Sequence, residues 1–234
     1  MTHAQSSCLL LFVKYPEKGK VKLRLSADLD QDTVVDLYRC FVSDTLDTIK
    51  KTHIQCYLCF YPTDVLEKFQ KWLGTAMAFF PQEGTNLGQR MKNCFMQAFA
   101  KGYQHVILIG SDSPDLPADI LLKALDELQT NDVVLGPSCD GGYYLIGFQN
   151  KSFEHSVFDD VHWGTASVFT ETIQKIEKKN YHLSILPVWS DVDTLTDLKS
   201  LIKRNQNTSF ISSITMTYLK QKKMIPVEDE DGSR

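Results

Sequence analysis

Five basic residues, Lys14, Lys18, Lys20, Lys22 and Arg24, fall within eleven positions of a segment reading KYPEKGKVKLRL. Pro16 and Gly19 interrupt regular structure there, and the alternation of Lys20, Lys22 and Arg24 can turn several cations to one side of a loop. Such a loop suits a phosphate clamp, with lysine as a point charge and arginine as a planar fork for diphosphate oxygens. A solvated lysine-rich surface loop fits the same residues. The segment carries neither the GxGxxG fingerprint nor the GxxxxGK pattern, so neither a Rossmann dinucleotide site nor a P-loop is indicated.

Three further segments carry carboxylates. In GSDSPDLP, Asp112 stands just past the apolar run HVILI, where a carboxylate can hold Mg2+ or Mn2+ and bridge it to phosphate. Turn capping by Asp112 or Ser113, with Asp115 starting a helix, accounts equally for these residues. In the stretch 136–144, Asp140 could meet a sugar hydroxyl or acceptor while Gly141 and Gly142 allow close backbone approach, or the pair could simply make a tight turn. In the stretch 189–194, Asp191 and Asp193 lie two apart and could supply a second metal carboxylate, although Asp193 or Thr194 could also cap the next helix.

These segments gain meaning from the elements that must position them. Apolar runs predict strands at Cys8–Val13, Ile54–Tyr61, Ala76–Phe80, His105–Ile109, Asp132–Leu135, Tyr143–Phe148 and Leu183–Val188. Helical spacing predicts helices near Asp32–Lys50, Asp64–Trp72, Leu87–Lys101, Ala118–Gln129, Ala166–Lys179 and Leu195–Arg204. From about Thr208 a further short helix is expected, with Phe210, Ile211, Ile214, Tyr218 and Leu219 on one side. Alternating strands and helices imply an α/β fold, a mostly parallel sheet covered on both faces, and ligands bound beyond the carboxyl ends of its strands.

The 234 residues are 43% hydrophobic and 23% charged, enough for a full core without disulfide or metal staples. No linker composition divides them, so residues 1–225 read as one domain and 226–234 as a disordered acidic tail. Net charge is −4, but residues 1–227 balance 24 basic against 25 acidic side chains. A nucleic-acid binder working through a global positive field is therefore not expected. No membrane-spanning run or signal peptide is present, which gives a cytoplasmic expectation. Cys56 and Cys59 form a CxxC, but on a strand they face opposite sides of the sheet, which argues against a shared metal or redox site.

The ordered motifs FVKYPEKGKVKLRL, NLGQRM, LIGSDSPDLP, VVLGPSCDGGYYLIGF, HWGT and DVDTLTDL resemble a bacterial and archaeal family of nucleotide-diphospho-sugar transferase-like proteins. That family has the GT-A fold, and its members are often described as radical-SAM-associated or arsenosugar-biosynthesis glycosyltransferases. It is similar in turn to the molybdenum-cofactor and phospholactate guanylyltransferases. The resemblance, from about Leu9 to Leu198, implies a single-domain three-layer sandwich with a mostly parallel mixed sheet. It implies that Lys22 and Arg24, with Lys14 nearby, hold phosphate, and that Arg90 belongs to the nucleotide site. Asp112 would hold the metal with the late pair Asp191 and Asp193, and Asp140, Gly141 and Gly142 would form the acceptor-side turn. Leu23 departs from the usual threonine and Gln89 from the usual glutamate; Trp163 matches a stretch without an assigned role and reads as a packing residue.

The expected activity is Mg2+- or Mn2+-dependent transfer of a sugar from a nucleoside diphosphate sugar to a small acceptor, with Asp112 and Asp140 as the residues nearest the chemistry. Two alternatives use the same parts: nucleotidyl transfer from a nucleoside triphosphate to a phosphorylated small molecule, and nucleotide binding without catalysis. No general base and no oligomeric state can be named from these residues.

Overall fold

The computed structural model describes residues 6–225. The expected acidic tail lies outside these residues.

Strand β1 (Ser7–Lys14) has nearly every side chain buried. Leu9, Leu11 and Val13 face one hydrophobic layer, while Cys8 and Leu10 face the other. Strands β2 (Gln55–Tyr61), β3 (Ala78–Pro81), β4 (His105–Ile109), β5 (Val133–Pro137), β6 (Tyr143–Gln149) and β7 (Leu183–Ile185) complete a seven-stranded sheet in the order β3-β2-β1-β4-β6-β5-β7. Only β6 runs against its neighbours, pairing antiparallel with β4 and β5. The chain leaves β1 toward β2 on one side, and β4 returns on the other, which creates a crevice at their carboxyl ends.

Helices α1 (Gln31–Thr52), α2 (Leu66–Leu73) and α4 (Ala118–Glu127) pack on the first face. The second face is covered by α3 (Leu87–Ala100) and α5 (Val168–Glu177). A third cluster joins Leu25, Leu37 and Phe41 to Val192, Leu198, Leu201, Met216 and Leu219. It fastens α6 (Leu195–Arg204) and α7 (Ile214–Gln221) to α1, and it anchors both the basic first loop, through Leu25, and the late aspartate loop, through Val192. Cys59 sits in the second core layer while Cys56 packs against the first, so the CxxC thiols lie on opposite faces.

Several expected boundaries shift for local reasons. The expected strand 183–188 ends at Ile185: Leu186 still donates to the Leu135 carbonyl at 2.9 Å, but Pro187 has no N–H to continue the ladder. The expected helix from Ala166 begins at Val168, because Thr165 turns its hydroxyl back to the His162 carbonyl at 2.8 Å. The single helix expected after Thr208 is split into a 3₁₀ turn at Ser209–Ser212 and α7, with extended Ser213 capping the Met216 N–H. Ile214, expected on the apolar side, is 46% exposed, and Thr215, Met216 and Leu219 are buried in its stead. Buried Asp44 on α1 fixes this arrangement by accepting from the Ile214 and Thr215 N–H groups at 2.9 and 2.8 Å. Among the described residues no helix is long and apolar enough to cross a membrane.

Candidate active site

The carboxyl ends of β1 and β4 open into a cleft of about 580 Å³ lined by Lys14, Lys22, Arg24, Arg90, Asp112 and Asp193, among others. A Tyr38 hydroxyl ties its floor together, accepting from the Lys14 N–H at 3.0 Å and lying 3.0 Å from Ser111 Oγ. Tyr38 and Ser111 have no local sequence signal, because they are 73 residues apart.

The basic loop does not present its cations uniformly. Lys18 turns away to pair with Asp32 at 2.7 Å, while Lys20 and Arg24 are exposed along the cleft. Lys14 Nζ reaches the Lys20 carbonyl at 3.3 Å. Lys22 alone is drawn inward: its side chain is 3% exposed, and Nζ is ion-paired with Asp112 and, at 2.8 Å, with Asp193. Burial alone would lower the Lys22 pKa, but Asp112 and then Asp193 more than offset this and hold it above the ordinary lysine range. Lys22 also has a left-handed backbone, φ +46°, which is unfavourable for a residue with a Cβ, and its two ion pairs, with a Ser26 N–H donating to its carbonyl at 3.2 Å, accompany that conformation. Gly19, at φ +67°, supplies the expected turn without that cost.

The two aspartate loops are joined through the backbone, Val192 N–H donating to the Asp112 carbonyl at 2.9 Å. Asp191 accepts from Ser113 Oγ at 2.8 Å. Burial, reinforced by the negative charges of Asp112 and Asp140, pushes its carboxyl up to about 7. Thr194 caps α6 in a capping box with Asp197, which leaves Asp193 free to face Lys22. A smaller cavity of about 290 Å³ adjoins the cleft, lined in part by Arg24, Asp140, Asp191 and Asp193.

Gly141 and Gly142 line neither cavity. At Gly141, φ +88°, a Cβ would come within 2.3 Å of the Ala166 carbonyl, and its own carbonyl accepts from Phe169 N–H at 2.9 Å. Asp140 accepts from the Ser138 hydroxyl and, at 2.9 Å, from Gly142 N–H. The glycine pair therefore serves the turn and its packing, while Asp140 both shapes the turn and borders the smaller cavity. Trp163 packs beside α3, where a Cβ on Gly88 would lie 2.7 Å from its indole nitrogen. Gln89 ties the loop before α3, accepting from the Thr85 N–H and hydroxyl at 3.0 and 2.9 Å.

Asp115, expected only to start a helix, is instead the centre of a buried polar cluster. Its side chain is 2% exposed and accepts from Arg204 Nε and Nη2 at 2.7 and 2.8 Å, Asn205 Nδ2 at 2.7 Å and Trp189 Nε1 at 3.1 Å. This cluster clamps the Asp112 loop to α6.

Among the described residues no three His, Cys, Asp or Glu side chains group closely enough to hold a metal by themselves. Of the expected set, Asp112 and Asp193 meet at the Lys22 ammonium, while Asp191 accepts from Ser113. Two carboxylates, with phosphate oxygens completing the shell, is a donor set that suits Mg2+ or Mn2+.

This architecture is the nucleotide-diphospho-sugar transferase fold. A Desulfovibrio desulfuricans structure described as a "putative nucleotide-diphospho-sugar transferase" matches with a TM-score of 0.91 and 44% identity, over 94% of this chain and 96% of that one. Residues 45–165 match the family described as "uncharacterized protein conserved in bacteria (DUF2064)", and the chain belongs to that family. It is also 26% identical over 216 residues to the 2-phospho-L-lactate guanylyltransferase of Methanobrevibacter smithii, covering 91% of this chain and 89% of that protein. The fold alone is shared with the 4-diphosphocytidyl-2C-methyl-D-erythritol synthase of Anaerococcus prevotii, with a TM-score of 0.54 and 11% identity over 88% of this chain and all of that one.

Proposed function

We propose that the chain is a metal-dependent nucleotidyltransferase, moving a nucleoside monophosphate from a nucleoside triphosphate to a phosphorylated small molecule with release of pyrophosphate. The observation that carries this reading is the Lys22 ammonium between Asp112 and Asp193 at the carboxyl ends of the central strands. It marks a position that demands a cation, beside a rim of further cations from the first loop. The relationship to a guanylyltransferase over nine-tenths of the chain supports nucleotidyl rather than sugar transfer.

In this reading an oxygen of the acceptor's phosphate attacks the α-phosphorus, the bond from that phosphorus to the bridging oxygen breaks, and pyrophosphate leaves with its electrons. The acceptor oxygen is already ionised near neutral pH, so no proton need be removed. Lys14, Lys20, Lys22 and Arg24 bind and neutralise the departing phosphates. Asp112 and Asp193 would hold Mg2+ or Mn2+, which when bound supplies Lewis-acid stabilisation of phosphate charge. Asp191 and Asp140 border the smaller cavity, where the acceptor has room to enter.

Sugar transfer from a nucleoside diphosphate sugar is the second reading, favoured by the description of the Desulfovibrio relative. Either reading requires the carboxylate pair. Asp112→Asn should abolish the Mn2+-dependent rise in melting temperature caused by nucleotides while leaving the protein folded; an unchanged rise would overturn the metal assignment.

A further inference from the structure

Lys22 sits in a stretch of the first loop that is fastened into the core on both sides. Val21 is 3% exposed and Leu25 is fully buried, so the backbone around Lys22 is anchored. The Lys22 side chain is as buried as these anchors. Among the described residues its ammonium meets Asp112, Asp193 and, 5.9 Å away, the face of Phe41. The two carboxylates are more open: 48% of the Asp112 side chain and 38% of the Asp193 side chain are exposed, and both line the main cleft with Lys14, Lys20 and Arg24. The ammonium therefore meets the pair from within the protein, and the cleft meets it from without.

Two cations cannot both have the full use of this pair. A divalent ion on Asp112 and Asp193 would be repelled by the ammonium that already holds them. Withdrawal of the ammonium with nothing to receive it would leave a buried charge without a partner. A triphosphate in the cleft removes that obstacle, because its oxygens offer the ammonium another anion in the same cavity. Lysine is suited to the move, being a compact charge on a flexible four-carbon stem that can turn while Val21 and Leu25 stay in place.

We propose that Lys22 is an exchangeable counter-ion, holding Asp112 and Asp193 when the cleft is free of ligand and passing to the triphosphate when the pair takes a divalent cation. Metal and triphosphate then each tighten the binding of the other through one side chain, and the coupling is reciprocal by thermodynamic necessity. This exchange presupposes the nucleotidyl-transfer reading, which places a triphosphate in the cleft.

The competition for Lys22 can be measured without metal, by calorimetry of ATP, CTP, GTP and UTP binding to the full chain in EDTA. Asp193→Asn should bind triphosphate about tenfold more tightly than the natural protein, since one of the two anions holding Lys22 is gone. In a Lys22→Met background the same substitution should give a gain at least about threefold smaller, because no ammonium is left to release. A smaller drop means that Asp193 acts only as a nearby charge, and overturns the exchange. Asp112→Asn and Lys22→Gln complete the cycle should either variant not fold. With Mn2+ alone, Lys22→Met should bind the ion more tightly than the natural protein. Lys14→Met, which removes a cleft cation in contact with neither carboxylate, should match the natural protein within about twofold. Equal effects of these two substitutions also overturn the exchange. Failure of every triphosphate to bind, with or without Mn2+, overturns the nucleotidyl-transfer reading itself, whereas binding that is indifferent to Lys22 overturns the exchange alone.

Discussion

Lys22 Nζ lies 2.8 Å from Asp193 Oδ1, joining two residues 171 positions apart across the mouth of the sheet. The ammonium is buried and the carboxylate partly exposed, so the pair sits at the boundary between core and cleft. Lys22 occupies the space that a divalent cation would contest. Lys22→Met should therefore tighten Mn2+ binding in the absence of nucleotide, by at least about threefold given the charge removed. The same substitution should lower turnover by about 100-fold or more, because it removes a charge from the departing phosphates. Calorimetry with Mn2+ and a steady-state assay would read these opposite signs; loss of both metal binding and turnover would contradict the arrangement.

Asp191 gives a pH dependence. Its carboxyl is raised to about 7, chiefly by burial, so between the ordinary aspartate value and pH 7 the folded state holds a proton that the unfolded state has lost. Stability from this group is full at acid pH and is lost as pH rises through 7. Asp191→Asn stays neutral, and should gain roughly 2 kcal/mol over the natural protein between pH 5 and pH 8. Urea unfolding with EDTA at the two pH values measures it; an equal difference at both would contradict the buried, charge-crowded setting.

The Asp115 cluster predicts a structural loss with a functional consequence. Removing the carboxylate in Asp115→Ala leaves the Arg204 fork, the Asn205 amide and the Trp189 indole without their shared acceptor. The expected cost is roughly 2–3 kcal/mol, reduced from the fully buried case because Arg204 is partly exposed. Denaturant unfolding checks the cost, and a lower kcat at unchanged nucleotide affinity would show that the clamp positions the Asp112 loop.

Gly141→Ala separates packing from chemistry. Its backbone is left-handed and the new methyl would meet the Ala166 carbonyl, so destabilisation of about 1–3 kcal/mol is expected. A drop in melting temperature with nucleotide affinity retained would confirm the packing role; the reverse pattern would return Gly141 to the ligand.

Much of the fold is legible in the sequence because its strands are short apolar runs and its helices repeat at helical spacing. The basic loop and Asp112 are equally visible, since both follow strands directly. Less legible is what depends on distant partners. The alternation of Lys20, Lys22 and Arg24 does not reveal that only Lys22 turns inward, because that is decided by two aspartates far along the chain. Asp115 looks like a helix start because Arg204 and Asn205 lie 89 and 90 residues away.

Which bond of the donor breaks separates nucleotidyl transfer from sugar transfer. The direct measurement is to incubate the protein and Mn2+ with nucleoside triphosphates labelled separately at the α- and β-phosphates, together with phosphorylated small-molecule acceptors, and to identify the labelled products. Nucleotidyl transfer predicts the α-label in a new acceptor conjugate and the β-label in pyrophosphate. Intact triphosphates, alongside nucleoside diphosphate released from nucleotide sugars, would contradict it.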